Sequence, residues 1–517
     1  MPDRATVAVV GLGAAGLATM KNLAEEGFEV TGFERSSSIG GVWSFEETPN
    51  KTTVMRSTVA NRSKYKFCFT DFPYSSDTPV YPLAADVHQY LQDYASHFDL
   101  HRSIETNTIV EKITRNEDSN CWELRLRYSK TKRTEPTVRQ FDRVVLATGI
   151  GALPVTPEIK GIEKFSGTVI HSQQFKNPDD FVGKNVMVVG LNNSAGDTAT
   201  SLVGVADKIY LSHRRGAIFL KRWLKNKPLD ADTSWVQMQM MQKYLAMIPS
   251  LTNWFLIKIQ NQFHTLRPEW RLNENMAPFA QSLPLMNEDI VDAMHEGKII
   301  SVSNLIEVVD ERTVLLQDGT TVTNLDAIIF CTGYKPDFSI LGDYEPEFRN
   351  LYQDGTKPLP KLYQNIFSLD SPDSLAWVCG VGFQMAVFHV YDLASMALAQ
   401  VWKDAVELPP AETMRAQVDR HYKWITSLAE NGSVYPDSVQ PEWYCWADET
   451  AGANVYRHLG YGMDGWRFWL NNRVFCNKLM YSIFSPHTWR LFDGRRKKWD
   501  GAREEVLKVV KEVQEMR

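Results

Sequence analysis

None of the six cysteines (Cys68, Cys121, Cys331, Cys379, Cys445 and Cys476) stands in a C-x-x-C pair. That absence removes the usual zinc-binding and redox-disulfide spacings and leaves reduced, buried thiols as the expectation. Long basic runs are also missing, and a net charge of −6 with a sequence pI near 6.0 argues against a nucleic-acid partner. No uninterrupted apolar stretch approaches the roughly 20 residues that cross a bilayer. The chain enters a strand-like run within a few residues of Met1, which leaves no room for a secretory leader, so a cytoplasmic protein is expected. Neither a Ser/His/Asp constellation nor a metal-ligand cluster can be assembled from its motifs, so chemistry of those kinds is not expected.

What the 517 residues do contain, at 44% hydrophobic, is enough apolar side chain for two or three domains. An apolar run from Thr6 to Val10 leads into Gly11-Leu12-Gly13-Ala14-Ala15-Gly16 and then a helical stretch from Leu17 to Glu26. Glu34 and Arg35 follow at the end of a second strand-like run, Glu29 to Phe33. Strand, tight glycine turn, helix and acidic strand end are the context of a dinucleotide fingerprint. The glycines let backbone approach a pyrophosphate, the helix N-terminus favours its charge, and the carboxylate takes ribose hydroxyls.

A second loop, Gly190-Leu191-Asn192-Asn193-Ser194-Ala195-Gly196, again follows an apolar run (Val186 to Val189), with a helical stretch placed at Ala199 to Val205. Gly190, Asn193 and Ser194 are its candidate nucleotide contacts. Asn192 occupies the second glycine slot, where asparagine tolerates positive φ but fills space that a phosphate needs. The next strand, Lys208 to Leu211, ends in Ser212-His213-Arg214-Arg215 with no acidic residue. Paired guanidinium forks suit a 2′-phosphate, so Arg214 and Arg215 point to NADPH over NADH; the alternative is two solvated arginines on a loop.

The remaining pattern reads as a loop region from Ser36 to Pro82, a helix from Ala84 to Phe98, and strands at Thr108 to Ile113, Trp122 to Tyr128 and Phe141 to Leu146. Ser129 to Arg133 reads as a solvated turn. Two strand-to-turn junctions, Ala147-Thr148-Gly149 and Cys331-Thr332-Gly333-Tyr334, mark crossings between two nucleotide domains. The expected fold is α/β, with two Rossmann-like three-layer dinucleotide-binding domains, the NADPH domain inserted into the FAD domain. The expected division is 1–164 and 331–435 for the FAD domain, 165–330 for the NADPH domain with a helical insertion at about 217–284, and an aromatic-rich extension at 436–517. The insertion carries Trp223, Trp235, Trp254, Trp270, Met238, Met240, Met241 and Met247, read as core packing ahead of a substrate tunnel or membrane-facing lid. The tail aromatics (Trp443, Tyr444, Trp446, Tyr456, Tyr461, Trp466, Phe468, Trp469) read as core, and a final helix, Ala502 to Met516, as a surface helix alternating Glu with Lys.

The segment Phe165-Ser166-Gly167-Thr168-Val169-Ile170-His171-Ser172-Gln173-Gln174-Phe175 fits the signature F-x-G-x-x-x-H-x-x-x-(Y/F). With Gly40-Gly41-Val42-Trp43, Asn61-Arg62-Ser63-Lys64, Asp71-Phe72-Pro73, Cys331-Thr332-Gly333-Tyr334, Leu408-Pro409-Pro410, Ser485 to Leu491 and Trp499 to Arg503, the chain resembles the flavin-containing monooxygenases along nearly its whole length. The resemblance implies FAD and NADPH as cofactors. NADPH reduces the flavin, dioxygen adds at C4a to give a hydroperoxyflavin, and one oxygen atom passes to an amine nitrogen or sulfur of a small molecule. It also implies a catalytic role for Asn61 beside the flavin ring and cofactor contacts from Gly41, Trp43, Thr148 and Gln384. His171 is implied as a hinge and packing residue on the segment joining the domains. Baeyer–Villiger oxygenation of ketones is the runner-up, since that sister family ends the signature in tryptophan where this chain has Phe175. An uncoupled NADPH oxidase is a third class. Peripheral membrane contact, homo-oligomerisation and the identity of the substrate are left open.

Overall fold

The computed structural model describes residues 4–129, 136–244, 249–274, 276, 284–350, 358–378, 387–429 and 442–516. In chain order its principal elements begin with β1 (Thr6–Val10), α1 (Ala14–Glu25), β2 (Glu29–Phe33), α2 (Ala84–His97), β3 (Ile104–Glu105) and β4 (Arg143–Leu146). They continue with β5 (Thr168–His171), β6 (Asn185–Val189), α3 (Asn193–Ser201), β7 (Lys208–Ser212), α4 (Trp235–Tyr244), α5 (Pro249–Phe263), β8 (Ile299–Val302) and β9 (Ala327–Phe330). The last are β10 (Leu375–Trp377), α6 (Val387–Trp402), α7 (Trp443–Ala451), α8 (Met463–Asn471), α9 (Arg473–Tyr481) and α10 (Ala502–Glu515).

The apolar runs become the middles of two five-stranded sheets in which every pairing is parallel, the arrangement that buries both faces of a strand. One sheet has the order β10-β4-β1-β2-β3 and the other β8-β7-β6-β9-β5. The second sheet's strands all lie between residues 168 and 330, whereas the first draws strands from both sides of that segment. At the centre of each sheet a strand runs through a tight turn into a helix, β1 into α1 and β6 into α3. Three-stranded antiparallel sheets flank each one, at 108–141 and 305–322.

Several boundaries differ from the sequence expectation for local physical reasons. The expected strand Phe141 to Leu146 is two strands, one antiparallel (Thr137–Phe141) and then β4, because Asp142 turns the chain between sheets and accepts from the Thr6 amide (2.7 Å) and hydroxyl (2.8 Å). The second loop's helix starts at Asn193 rather than Ala199. The final helix lies on the surface with one face buried: Val509, Val510 and Val513 pack with Tyr65, Ala231 and Ile483, and Val506 joins the main core. Within the insertion Trp235, Trp270 and Met238 are buried, as core packing requires, whereas Trp223, Trp254 and Met240 are exposed. Lys130 to Arg133, Cys379, Met247 and the side chain of Met241 lie outside the described residues. Of the described cysteines, four are buried and Cys445 is exposed, all as free thiols.

The largest core cluster runs from β1 and α1 through α6 to Trp443, Tyr444 and Trp489, so the tail packs into the first sheet's helical layer. A buried charge cluster pins it there. Lys21 of α1 pairs with Asp71, and Arg490 reaches the same carboxylate (2.8 Å). Arg496 pairs with Glu25, while Asp392 of α6 accepts from Thr70 and from Asn22 (2.6 Å). Burial alone would raise the Asp71 carboxyl, but Lys21, Arg490 and Arg496 overcome it and hold the group well below the usual carboxylate range.

Burial also pushes the imidazoles of His171, His264 and His421 from the ordinary 6.5 down to about 4, and that of His389 to about 3. These rings stay neutral in the fold but protonate in the unfolded chain, so their stabilisation is complete above 6.5 and is lost as pH falls toward the folded values. The melting temperature is accordingly expected to drop between pH 6.5 and about 4, with a shallower slope in His421→Leu. Thermal scans at constant ionic strength measure it, and a flat profile across that window would contradict this account.

Candidate active site

Both candidate nucleotide loops sit at the carboxyl ends of their parallel strands, where open α/β sheets leave room for a ligand. At the first, Gly11 has φ 93°, and a Cβ there would meet the Ala147 carbonyl oxygen at 2.7 Å, so only glycine lets the loop lie beside the β4 end and Thr148. Gly13 caps α1 with extended backbone, and Gly16 packs so tightly under Gly11 that any side chain would run into its carbonyl. Gly41 (φ 58°) faces Gly13; a Cβ on Gly41 would stand 2.9 Å from the Gly13 Cα, and the Gly40 amide donates to Leu12 O (2.8 Å). This double-glycine cradle fits a pyrophosphate. Trp43 closes the same turn, edge-on to Phe67 at 5.5 Å. Glu34 is buried, its carboxylate accepting from the amides of Leu12 (3.0 Å) and Ser36 (2.9 Å), while Arg35 and Thr148 are exposed.

At the second loop the positive φ falls on Gly190 (131°), whose Cβ would clash with the Cys331 carbonyl. Asn192 instead has φ −133° and caps α3, its Oδ1 accepting from the Asn193 amide at 2.7 Å. Asn192 therefore draws on no tolerance of positive φ: its amide serves the helix N-terminus, a position for which asparagine is well suited. Asn193 Oδ1 accepts from the Met286 amide (2.9 Å), and Ser194 is exposed at the start of the helix. Arg214 and Arg215 line a cavity of about 360 Å³ with His213, Trp270, Arg271, Ser301 and Gln317 among its walls. His213 fixes this corner, one ring nitrogen against Arg215 O (3.0 Å) and the other against Ser301 Oγ (2.9 Å). Arg271 is engaged by Asp318 (3.5 Å), whereas among the described residues Arg214 and Arg215 have no carboxylate partner.

Asn61 is half-buried, and Arg222 of the insertion reaches it. The guanidinium donates to Asn61 Oδ1 (2.8 Å), Val59 O (3.0 Å) and Ala60 O (3.0 Å), while Glu288 stands 3.6 Å from its other arm. A guanidinium only donates, so the amide must turn its carbonyl toward Arg222 and its NH₂ away. Arg222 also bears on Asp197 of α3, whose carboxyl burial pushes up to about 6, against the opposing charge of Arg222 and a 3.3 Å bond from Asn287. One buried arginine of the insertion thus ties down the first sheet's long loop at Val59, Ala60 and Asn61. Sequence reasoning missed it; its single trace is a pair of cations, Lys221 and Arg222, interrupting the apolar run from Ala217 to Leu224.

His171 ends β5, accepts at Nδ1 from the Gln173 amide (3.2 Å) and meets the Tyr334 ring edge-on at 4.9 Å, so it packs the two strand-end junctions together. Phe175 is buried against Phe181 at 5.5 Å. Gln384 lies outside the described residues. Among those that are described, no group of His, Cys, Asp and Glu is arranged to hold a metal ion.

The chain matches the model of the FMO-like, flavin-binding monooxygenase-like family over residues 4–516. Relatives include Monooxygenase aurF of Gibberella zeae, 43% identical over 515 residues with 97% of each chain covered. Flavin-containing monooxygenase 5 of Mus musculus is 32% identical over 80% of this chain and 76% of its own. The chain belongs to the flavin-binding monooxygenase-like family. Among solved structures, S-allyl-L-cysteine S-oxygenase from Allium sativum aligns with a TM-score of 0.63 at 20% identity, covering 99% of both chains. Cyclohexanone monooxygenase from Rhodococcus sp. Phi1, bound to NADP+, aligns with a TM-score of 0.62 at 18% identity over 88% of this chain and 99% of its own. The two parallel sheets are thus the two dinucleotide-binding units of a flavin monooxygenase, whose cofactors are FAD and an NADP nucleotide.

Removing Arg222 from this flavin monooxygenase strands three acceptors. Arg222→Ala is expected to cost roughly 1–3 kcal/mol of stability for polar groups left unpaired, and Arg222→Lys, which keeps the charge but loses the fork, should recover only part. Denaturant midpoints read both, and an Arg222→Ala variant as stable as the parent would show the contact to be dispensable.

Proposed function

We propose that this enzyme uses NADPH and dioxygen to place one oxygen atom on a soft nucleophile, an amine nitrogen or a sulfur, of a small molecule. The observation that carries the NADPH part is the Arg214–Arg215 pair, two guanidiniums without carboxylate partners on the wall of a cavity at the β7 end. The choice of heteroatom draws support from the names of the relatives, a flavin-containing monooxygenase and, at the level of fold, an S-oxygenase. In the same reading the FAD unit comprises 1–164 and 331–435 and the NADPH unit 165–330, followed by the tail at 436–517.

When bound, FAD supplies the oxygen chemistry and NADPH the electrons, which leaves the protein with binding, orientation and exclusion of water. Gly11, Gly13, Gly16 and Gly41 would hold the FAD pyrophosphate, with Glu34, Arg35, Trp43 and Thr148 around the rest of that cofactor. Gly190, Asn193 and Ser194 would meet the NADPH pyrophosphate at the α3 N-terminus, whose dipole favours the charge. Asn61, with its carbonyl committed to Arg222, offers an NH₂ that donates without titrating, so the site needs no group with a tuned proton affinity.

Two experiments test the assignment. Replacing Arg214 and Arg215 together with alanine should raise the NADPH Michaelis constant about tenfold or more, corresponding to roughly 1.4 kcal/mol of lost phosphate contact, and leave NADH nearly unchanged. An unaltered preference for NADPH would remove these arginines from the site. Asn61→Ala should keep the fold and FAD content but lose the donor, at roughly 1–3 kcal/mol in the oxygen-transfer step, so that NADPH is still consumed while hydrogen peroxide replaces oxygenated product. Product formed per NADPH is the quantity to follow, on tertiary amines and thioethers with a cyclic ketone as comparator. A fully coupled Asn61→Ala enzyme would make Asn61 a structural loop residue.

A further inference from the structure

The tail aromatics divide by face. On α8 and α9, Phe475, Cys476 and Leu479 are buried against the core, and Phe468 and Trp469 pack partly onto it. On the opposite side Tyr461 is 91% exposed, Met463 88% and Val474 75%, and Trp466, Leu470 and Tyr481 are each more than half exposed. Met463, Trp466, Leu470, Val474 and Tyr481 recur at intervals of three, four or seven residues, the spacing of a single helical stripe, and they keep this phase across the break at Asn472. The core on the other side therefore does not account for them, and an apolar stripe left in water on two successive helices marks a contact surface.

We infer that the α8–α9 face docks onto the surface of an anionic lipid bilayer. Cations are interleaved with the apolar stripe: Arg467, 77% exposed, Arg473, stacked over Trp469 at 4.6 Å, and Lys478. The segment from Tyr461 to Tyr481 has a single carboxylate, Asp464, which Arg457 holds at 2.6 Å and Arg467 approaches at 3.9 Å, so three cations face one carboxylate within the segment. A locally positive strip on a chain of net charge −6 complements a negative surface and disfavours a second copy, whose identical strip would repel it. Tryptophan, tyrosine and basic residues along one apolar face are the composition of helices that lie in the headgroup layer. The docking is in the plane of the interface, because no described helix is long and apolar enough to cross a membrane.

Flotation of the FAD-loaded full chain with vesicles of phosphatidylcholine alone, or with about 30% phosphatidylserine, tests the inference, since anionic lipid adds a salt-sensitive attraction for each basic residue. The parent should float with the anionic vesicles and be released by salt. Trp466→Ser with Leu470→Ser, and separately Arg467→Glu with Lys478→Glu, should each weaken binding about tenfold with flavin content and melting temperature retained. Absence of binding to either vesicle overturns the proposal, as does binding that neither double variant weakens. A concentration-dependent dimer that the Trp466/Leu470 variant dissolves, without vesicle binding, would also overturn it by giving the face to a second copy. None of these readouts depends on the reaction catalysed.

Discussion

Three cations and two carboxylates withdrawn from water, with Glu25 at their exposed rim, decide how this chain closes. Lys21 and Glu25 belong to α1, the helix that opens from the first glycine loop; Asp71 comes from the long loop, Asp392 from α6, and Arg490 and Arg496 from the last thirty residues. Each of the five buried charges, left alone, would carry a desolvation cost of several kcal/mol, so loss of a partner is costly. The helix that follows the first glycine loop is consequently held from behind by residues more than 450 positions later in the chain, as the Arg496–Glu25 pair (|i−j| 471) illustrates. Asn22 adds neutral bonds to the Asp392 carboxylate and the Ser395 hydroxyl within the same cluster. The tail is thus part of the nucleotide-binding unit's own packing.

The parts legible in the sequence are those fixed by local chemistry. Strands buried on both faces must be continuous apolar runs, which is why Thr6–Val10, Glu29–Phe33 and Ala327–Phe330 match the expected bounds. Glycine turns were equally plain, because a left-handed φ and a close carbonyl leave one residue type. Helix starts were harder: Asn192 reads as a flawed glycine until its side chain is seen capping α3. Asp142 likewise gives no sign in the pattern that it divides one apolar run between two sheets.

Contacts made across hundreds of residues were not legible. Nothing local distinguishes Lys21 from any other helical lysine, and burial of such a side chain becomes sensible only with Asp71 and Arg490 in place. The tail shows the same limit from the other side. Aromatic content alone assigns Trp443 and Trp466 to one class, yet the first fills the core and donates to Gln364 O (2.9 Å), while the second faces solvent. Phase against a neighbour decides which, and phase is a property of the packed molecule.

The two glycine loops reach one backbone solution by different residues. In each, a glycine with positive φ (Gly11, Gly190) precedes an extended residue (Gly13, Asn192) that caps the following helix. Where Gly13 leaves the N-terminal amides bare and faces Gly41, Asn192 covers one of them with its own oxygen. The first loop therefore leaves a wider approach to its helix N-terminus than the second. Set back from the second loop, Arg214 and Arg215 line a cavity at the β7 end. Arg222, by contrast, is committed to the Val59 and Ala60 carbonyls and to the Asn61 side chain. The insertion that follows β7 is thereby fastened to the first sheet's long loop by a side chain, not by the sheets alone.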